Sequence, residues 1–224
     1  MPETLLRLVV LLLPVALLPL LLRSQARRSA TGSLVHAALA GLIGIILALA
    51  LLEIRRRVLP LSFSDKFPAT HALVAAFSEE AAKLAAFFLV FRPEAGPTRP
   101  IIRTAAATAL VFAVIENAVY VTVPASLLWT RALVVPALHA GCSVVLVAAV
   151  LTLRKLKPVQ TQTKTSFLGA LIALLAVALA VTLHALHNYF MLISSLPFSL
   201  RLMPSLLVTS LAFYLHYRSP SHST

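Results

Sequence analysis

Long apolar runs alternate with short polar breaks along the whole chain. Seven runs are legible, at about Leu5 to Leu22, Ser33 to Leu52, Ala69 to Phe91, Arg103 to Val123, Ala132 to Leu153, Ser166 to Phe190 and Ser199 to Tyr217. Each is close to the roughly 20 residues that carry a helix across a bilayer. The breaks are of the kind that stop a membrane helix: Arg27-Arg28, Glu53-Ile54-Arg55-Arg56-Arg57, the Pro- and Gly-rich stretch Arg92 to Pro100, and the polar segment Arg154 to Thr165. A helix satisfies its own backbone groups in lipid, whereas an open strand leaves them unpaired. The pattern predicts an all-α, polytopic transmembrane helical bundle of about seven spans, one integral membrane domain over residues 1–224 with no internal repeat. Pro14 and Pro19 kink the first run. It reads as a retained span, because it is longer than a signal-peptide core and no small-x-small cleavage site precedes Arg27-Arg28. Pro136 falls in the first turns of the fifth run, where a missing N–H matters little.

Composition agrees with this reading. Of 224 residues 60% are hydrophobic and 12% charged, against about one quarter charged in soluble domains. A net charge of +12 would suggest nucleic acid on a soluble protein. Here Arg and Lys stand in short clusters between apolar runs, as topology determinants do, so the partner they imply is the lipid bilayer and no nucleic acid. Eleven of them (Arg23, Arg27, Arg28, Arg92, Arg99, Arg103, Arg154, Lys155, Lys157, Lys164 and Arg218) lie on one side of the seven spans. Seven (Arg7, Arg55, Arg56, Arg57, Lys66, Arg131 and Arg201) lie on the other. The richer side is expected in the cytoplasm of a multi-pass cell-membrane protein, with the amino terminus outside. Cys142, the only cysteine, lies inside an apolar run and is expected to pack in the core.

The third run is the anomaly. Glu79, Glu80 and Lys83 stand in its middle, where each charge costs roughly 3 kcal/mol or more on insertion, so their presence points to function. Other polar residues recur inside later runs: Glu116 and Asn117, His139, and His184, His187 and Asn188. Glu79 lies about ten residues after its run begins and Glu116 about seven before its run ends; His139 is about seven after a start and His184 about six before an end. Successive spans run in opposite directions, so all four fall in the same, outer, half of the bilayer, within roughly two helical turns of one another. Lys83 is three residues from Glu80 and four from Glu79, so it can neutralise one carboxylate and leave the other available.

These residues, as EExxK at Glu79 to Lys83, FxxxEN at Phe112 to Asn117, a histidine early in the next run at His139, and HxxxN at His184 to Asn188, resemble the PrsW family of intramembrane proteases. That family belongs to the larger group of CAAX protease-like enzymes. The resemblance covers about Ala69 to Phe190, four successive helices, and marks residues 69–190 as the catalytic core; Ser143 departs from the Gly expected four residues after His139. It implies an endopeptidase that hydrolyses a peptide bond of a membrane-anchored protein substrate at the outer side, as in site-1 cleavage of an anti-sigma factor.

Amide hydrolysis needs an activated water, a stabilised oxyanion and a protonated leaving amine. Glu79 or Glu80 is the candidate base, His139 and His184 bind the water or polarise the carbonyl, and Asn188 donates to the oxyanion. Lys83, Asn117 and His187 are supporting. Glu116 with His139 and His184 forms a set of the kind that holds catalytic zinc, with a glutamate left as base. Without a metal, Glu116 fixes a histidine and the enzyme is a glutamic peptidase. The missing HExxH spacing favours the metal-free version. A proton-coupled transporter or channel uses the same residue types, but a relay strings them across the full membrane thickness. An inactive peptide-binding membrane protein is the third reading. His36 and His71, near helix ends, suit the interface, and Arg131 could hold substrate at the outer face but reads better as an ordinary loop charge. Phe112 reads as packing beside Glu116.

Overall fold

A computed structural model describes residues 2–18, 27–58, 67–91, 98–119, 125–155, 163–193 and 195–218, and every regular element among them is helical. The helices are α1 (Pro2–Leu12), followed by a 3-10 turn at Leu13–Leu17, α2 (Arg27–Val58), α3 (Pro68–Val90), α4 (Thr98–Val119), α5 (Ala125–Trp129), a π turn at Thr130–Val134, α6 (Val135–Lys155), α7 (Thr163–Leu192) and α8 (Phe198–Arg218). Five segments are long and apolar enough to cross a membrane: Leu34–Val58, Thr98–Val119, Leu127–Arg154, Phe167–Leu192 and Phe198–Arg218. Helix α3 has the length of a span, 23 residues, and differs by the three charges in its middle. The protein is thus a multi-pass membrane helical bundle.

Several boundaries differ from the pattern of apolar runs. The first run appears as the 11-residue α1 and a 3-10 turn through Pro14, where the proline ring removes a backbone donor; Pro19 and the rest of that run lie outside the described residues. Helix α2 continues through Glu53 to Arg57 and is held there by an Arg57–Glu53 pair at 3.0 Å, one turn apart. The fifth run begins earlier than Ala132, so Pro136 sits inside a continuous helical segment from Ala125 and not at its start. Most of the loop Arg92 to Pro100, at 92–97, and most of the segment 154–165, at 156–162, lie outside the described residues, as do Arg23, Lys66, Arg92 and Lys157 of the charge count.

Helix α2 packs against α3 and α4, α4 against α6, α6 against α7, and α7 against α3, which closes a ring of five helices; α8 covers α6 and α7 from outside, and α1 lies against α4 and α5. Small residues make this closeness feasible. Helix α4 buries Ala105, Ala106, Ala107, Ala109 and Ala113. A Cβ added at Gly41 of α2 would lie 2.6 Å from the Val111 side chain of α4. Leu138, Cys142, Val145 and Leu146 of α6 pack with Ala180 and Leu183 of α7 and Val208 of α8, so Cys142 is in the core as expected. Phe87 of α3 meets Ile101 and Ala105 of α4 and Val147 and Leu151 of α6 toward the other end of the ring. What the ring encloses between these apolar clusters is charged.

Candidate functional site

Four helices place the charged and imidazole side chains in one cluster. Lys83 is 2% exposed and its Nζ donates to Glu80 Oε1 at 2.7 Å and to His139 Nδ1 at 2.8 Å. An ammonium offers only donors, so Nδ1 accepts and the His139 proton sits on Nε2. That nitrogen lies 2.9 Å from Glu116 Oε2, close but outside hydrogen-bond alignment, which leaves Oε2 without a hydrogen-bond partner. Glu80 Oε1 also receives His184 Nδ1 at 2.6 Å. The other nitrogen of His184 is 3.3 Å from Glu79 Oε2. The two imidazoles meet edge to face, 4.9 Å between centroids. Phe112 closes the cluster beneath, 5.4 Å from Lys83 and 5.3 Å from His139.

The three carboxylates differ in surroundings. Glu80, 2% exposed, lies between Lys83 and His184. Glu116, 16% exposed, pairs with Arg131 at 3.3 Å. Glu79 is the most open at 24%, and its close partner is an imidazole, not a cationic side chain. Adjacent positions on a helix point about 100° apart, which is why consecutive glutamates reach such different surroundings.

Arg131 was expected as an ordinary loop charge more than as part of the site. It lies on the π turn, with Nη1 3.3 Å from Glu116 Oε1 and 3.4 Å from Asn117 Oδ1. The turn itself explains Asn117. Val135 N–H bonds to Thr130 O, the wide register, and Pro136 follows with no N–H to offer. The carbonyl of Arg131 is thereby left without a helical donor, and Asn117 Nδ2 supplies one at 2.8 Å. The signal in the sequence was the proline five residues after an arginine.

His187 is buried beside the cluster and bonded through Nδ1 to Ser205 Oγ of α8 at 3.0 Å; its Nε2 has no hydrogen-bond partner. Ser205 was not singled out from sequence because α8 carries no motif. Asn188 is half-buried one turn beyond His184 and makes no hydrogen bond to the cluster among the described residues. Ser143, in the expected glycine position, lines a cavity of about 10 Å³ with Lys83 and Thr108. His36 stacks edge to face on Phe91 at 6.0 Å, away from the cluster.

Glu79, His139 and His184 each offer a donor atom within 4.8 Å of the others, as do Glu80, Cys142 and His184. The first group has the carboxylate and two imidazoles of a catalytic zinc set, with Glu79 where the spacing suggested Glu116. It fits a divalent metal: Glu80 already holds His184 Nδ1, as outer carboxylates do for metal-binding histidines, and His139 offers a nitrogen once Lys83 or Glu116 releases it.

The family model described as PrsW family intramembrane metalloprotease matches residues 30–215, most of the chain. No curated protein and no solved structure gives a significant match.

Proposed function

The chain belongs to the PrsW family of intramembrane proteases, and from that premise we propose that it cuts a membrane-anchored protein substrate, as in site-1 cleavage of an anti-sigma factor, with Glu79 as general base. One observation carries the assignment of the base: of three carboxylates in the cluster, Glu79 is the most open and faces an imidazole where the other two face Lys83 or Arg131. With His184 protonated, the Glu79 carboxylate takes a proton from water as the oxygen attacks the scissile carbonyl. The imidazolium of His184 and the Nε2–H of His139 polarise that carbonyl, and Asn188, one turn along the same helix, donates to the oxyanion as it forms. Glu79 returns its proton to the amine nitrogen as the C–N bond breaks. Glu80 reacts with nothing: it neutralises Lys83 and fixes the His184 ring. The catalytic core is residues 69–190.

A second reading rests on the Glu79, His139 and His184 donor group and on the family's description. Those three would hold a divalent metal of the zinc type, which would supply a Lewis acid for the carbonyl and its water. Glu80, on His184, and Glu116, beside His139, are then the carboxylates outside the donor set. The test is cleavage of a single-span reporter peptide in proteoliposomes by purified protein. Glu79→Gln is expected to lower the rate by about 10²–10⁴, the worth of a general base; unchanged cleavage would sink the assignment. Bound zinc near one equivalent, with loss of activity to chelator and recovery on adding zinc, would select the metal reading.

A further inference from the structure

A cavity of about 580 Å³ lies outside the ring, between α4, α6, α8 and the 3-10 turn after α1. It contains none of the cluster residues and is lined by side chains such as Leu13, Leu110, Leu133, Val144 and Phe213, of which Leu13, Leu133 and Phe213 are exposed toward lipid. From Leu133 in the π turn to Gly141 of α6 is eight residues, and from Thr209, packed beside Gly141, to His216 is seven of α8. At 1.5 Å per residue the groove is about 22 Å long, and its 580 Å³ of room for water-sized centres makes it about 9 Å from wall to wall. A helix with its side chains, about 10–12 Å wide, is wider than that; a hydrocarbon chain enters.

One end is cationic. Arg103 lines the groove there with His216, Nη2 to Nε2 3.4 Å, and Arg99 stands one turn before Arg103 on the same face of α4. Like charges at that spacing repel. Arg99 spends one nitrogen on the Tyr217 carbonyl at 3.1 Å, while its Nε is buried without a partner. Among the described residues neither arginine has a carboxylate partner: Glu53, Glu79, Glu80 and Glu116 all lie toward the other end or in the ring. An apolar groove open to lipid, ending at two guanidiniums, has the chemistry of a lipid tail and an anionic headgroup.

We infer that this groove binds one acyl chain of an anionic phospholipid, with the phosphate against Arg99 and Arg103. The inference is independent of the peptidase chemistry, and its test reads binding, not cleavage. Native mass spectrometry of the full chain from non-ionic detergent is compared with phosphatidylglycerol and phosphatidylcholine of identical tails. Each arginine near an anionic headgroup is worth a factor of about five, so a preference of about 25-fold for phosphatidylglycerol is expected. The Arg99→Gln/Arg103→Gln double variant is expected to erase the preference, and Ala137→Phe, which fills the groove, to remove the adduct of either lipid. Ala106→Leu replaces it if that variant does not fold by circular dichroism. Arg57→Gln, at the opposite end, leaves the preference intact. Equal binding of both lipids, an adduct that survives groove filling, or a lipid-free dimer lost on groove filling would each overturn the inference.

Discussion

Lys83 and His184 converge on one atom, Oε1 of Glu80, and that convergence separates two residues that look equivalent in sequence. The adjacent glutamates and the lysine three and four residues on were legible as a functional anomaly, because apolar helices do not carry charges without a purpose. Which glutamate Lys83 takes was not legible, since both spacings put it within reach. The choice is made across the ring by His139 of α6, which holds the other side of the ammonium, and no local pattern contains that contact. A split outcome follows. Glu80→Gln leaves a buried ammonium without its counter-charge, and removing one member of a buried pair costs about 3–5 kcal/mol. We expect Glu80→Gln to unfold at clearly lower temperature in detergent as well as to lose activity, while Glu79→Gln keeps near wild-type stability and loses only activity. Thermal unfolding of the two purified variants checks this, and an equal loss of stability in both would count against separate roles. Lys83→Met/Glu80→Gln together is expected to recover stability relative to Glu80→Gln alone, without activity.

Helix existence was the most legible feature of the chain, because apolar runs of bilayer length have one conformation open to them; helix register was not. The π turn at Thr130–Val134 lies inside what reads as a simple entry into the fifth run. Pro136 was visible, but its effect depends on whether the preceding turn is α or π, which backbone donors several residues away decide. The turn brings Arg131 onto Glu116 and Asn117, and an arginine that reads as a loop charge becomes part of the site wall. Asn117, expected as a supporting residue, supports this turn by capping the Arg131 carbonyl. Leaving a buried acceptor unsatisfied costs about 1–3 kcal/mol, which is the expected loss for Asn117→Ala in thermal or denaturant unfolding. Pro136→Ala restores an N–H at the position that lacks one. The double variant is therefore expected to lose less than the sum of the two single variants, and strict additivity would contradict the capping account.

Across the whole molecule, the antiparallel ring converts positions far apart in sequence into neighbours at one depth. Glu79, Glu116, His139 and His184 were expected within roughly two turns of one another from span direction alone, and in the ring Glu116 lies 2.9 Å from His139 and Glu79 3.3 Å from His184, with the two imidazole centroids 4.9 Å apart. A proton relay would instead spread such groups from face to face. The orientation of the ring in the membrane rests on charge counting, which favours the Arg99 and Arg103 end in the cytoplasm and the Arg57 end outside. In that orientation the carboxylate–histidine cluster opens toward the outer half, and the cationic groove faces the leaflet where anionic lipids carry the negative surface potential. Single cysteines give a direct reading, because Cys142 is fully buried and does not compete for reagent. Arg57→Cys, at a position 79% exposed, is expected to react with a membrane-impermeant maleimide in intact cells. Thr98→Cys, at the start of α4, is expected to react only after permeabilisation. The reverse pattern would turn the molecule over, place the cluster in the inner half and restrict cleavage to substrates presented from the cytoplasm.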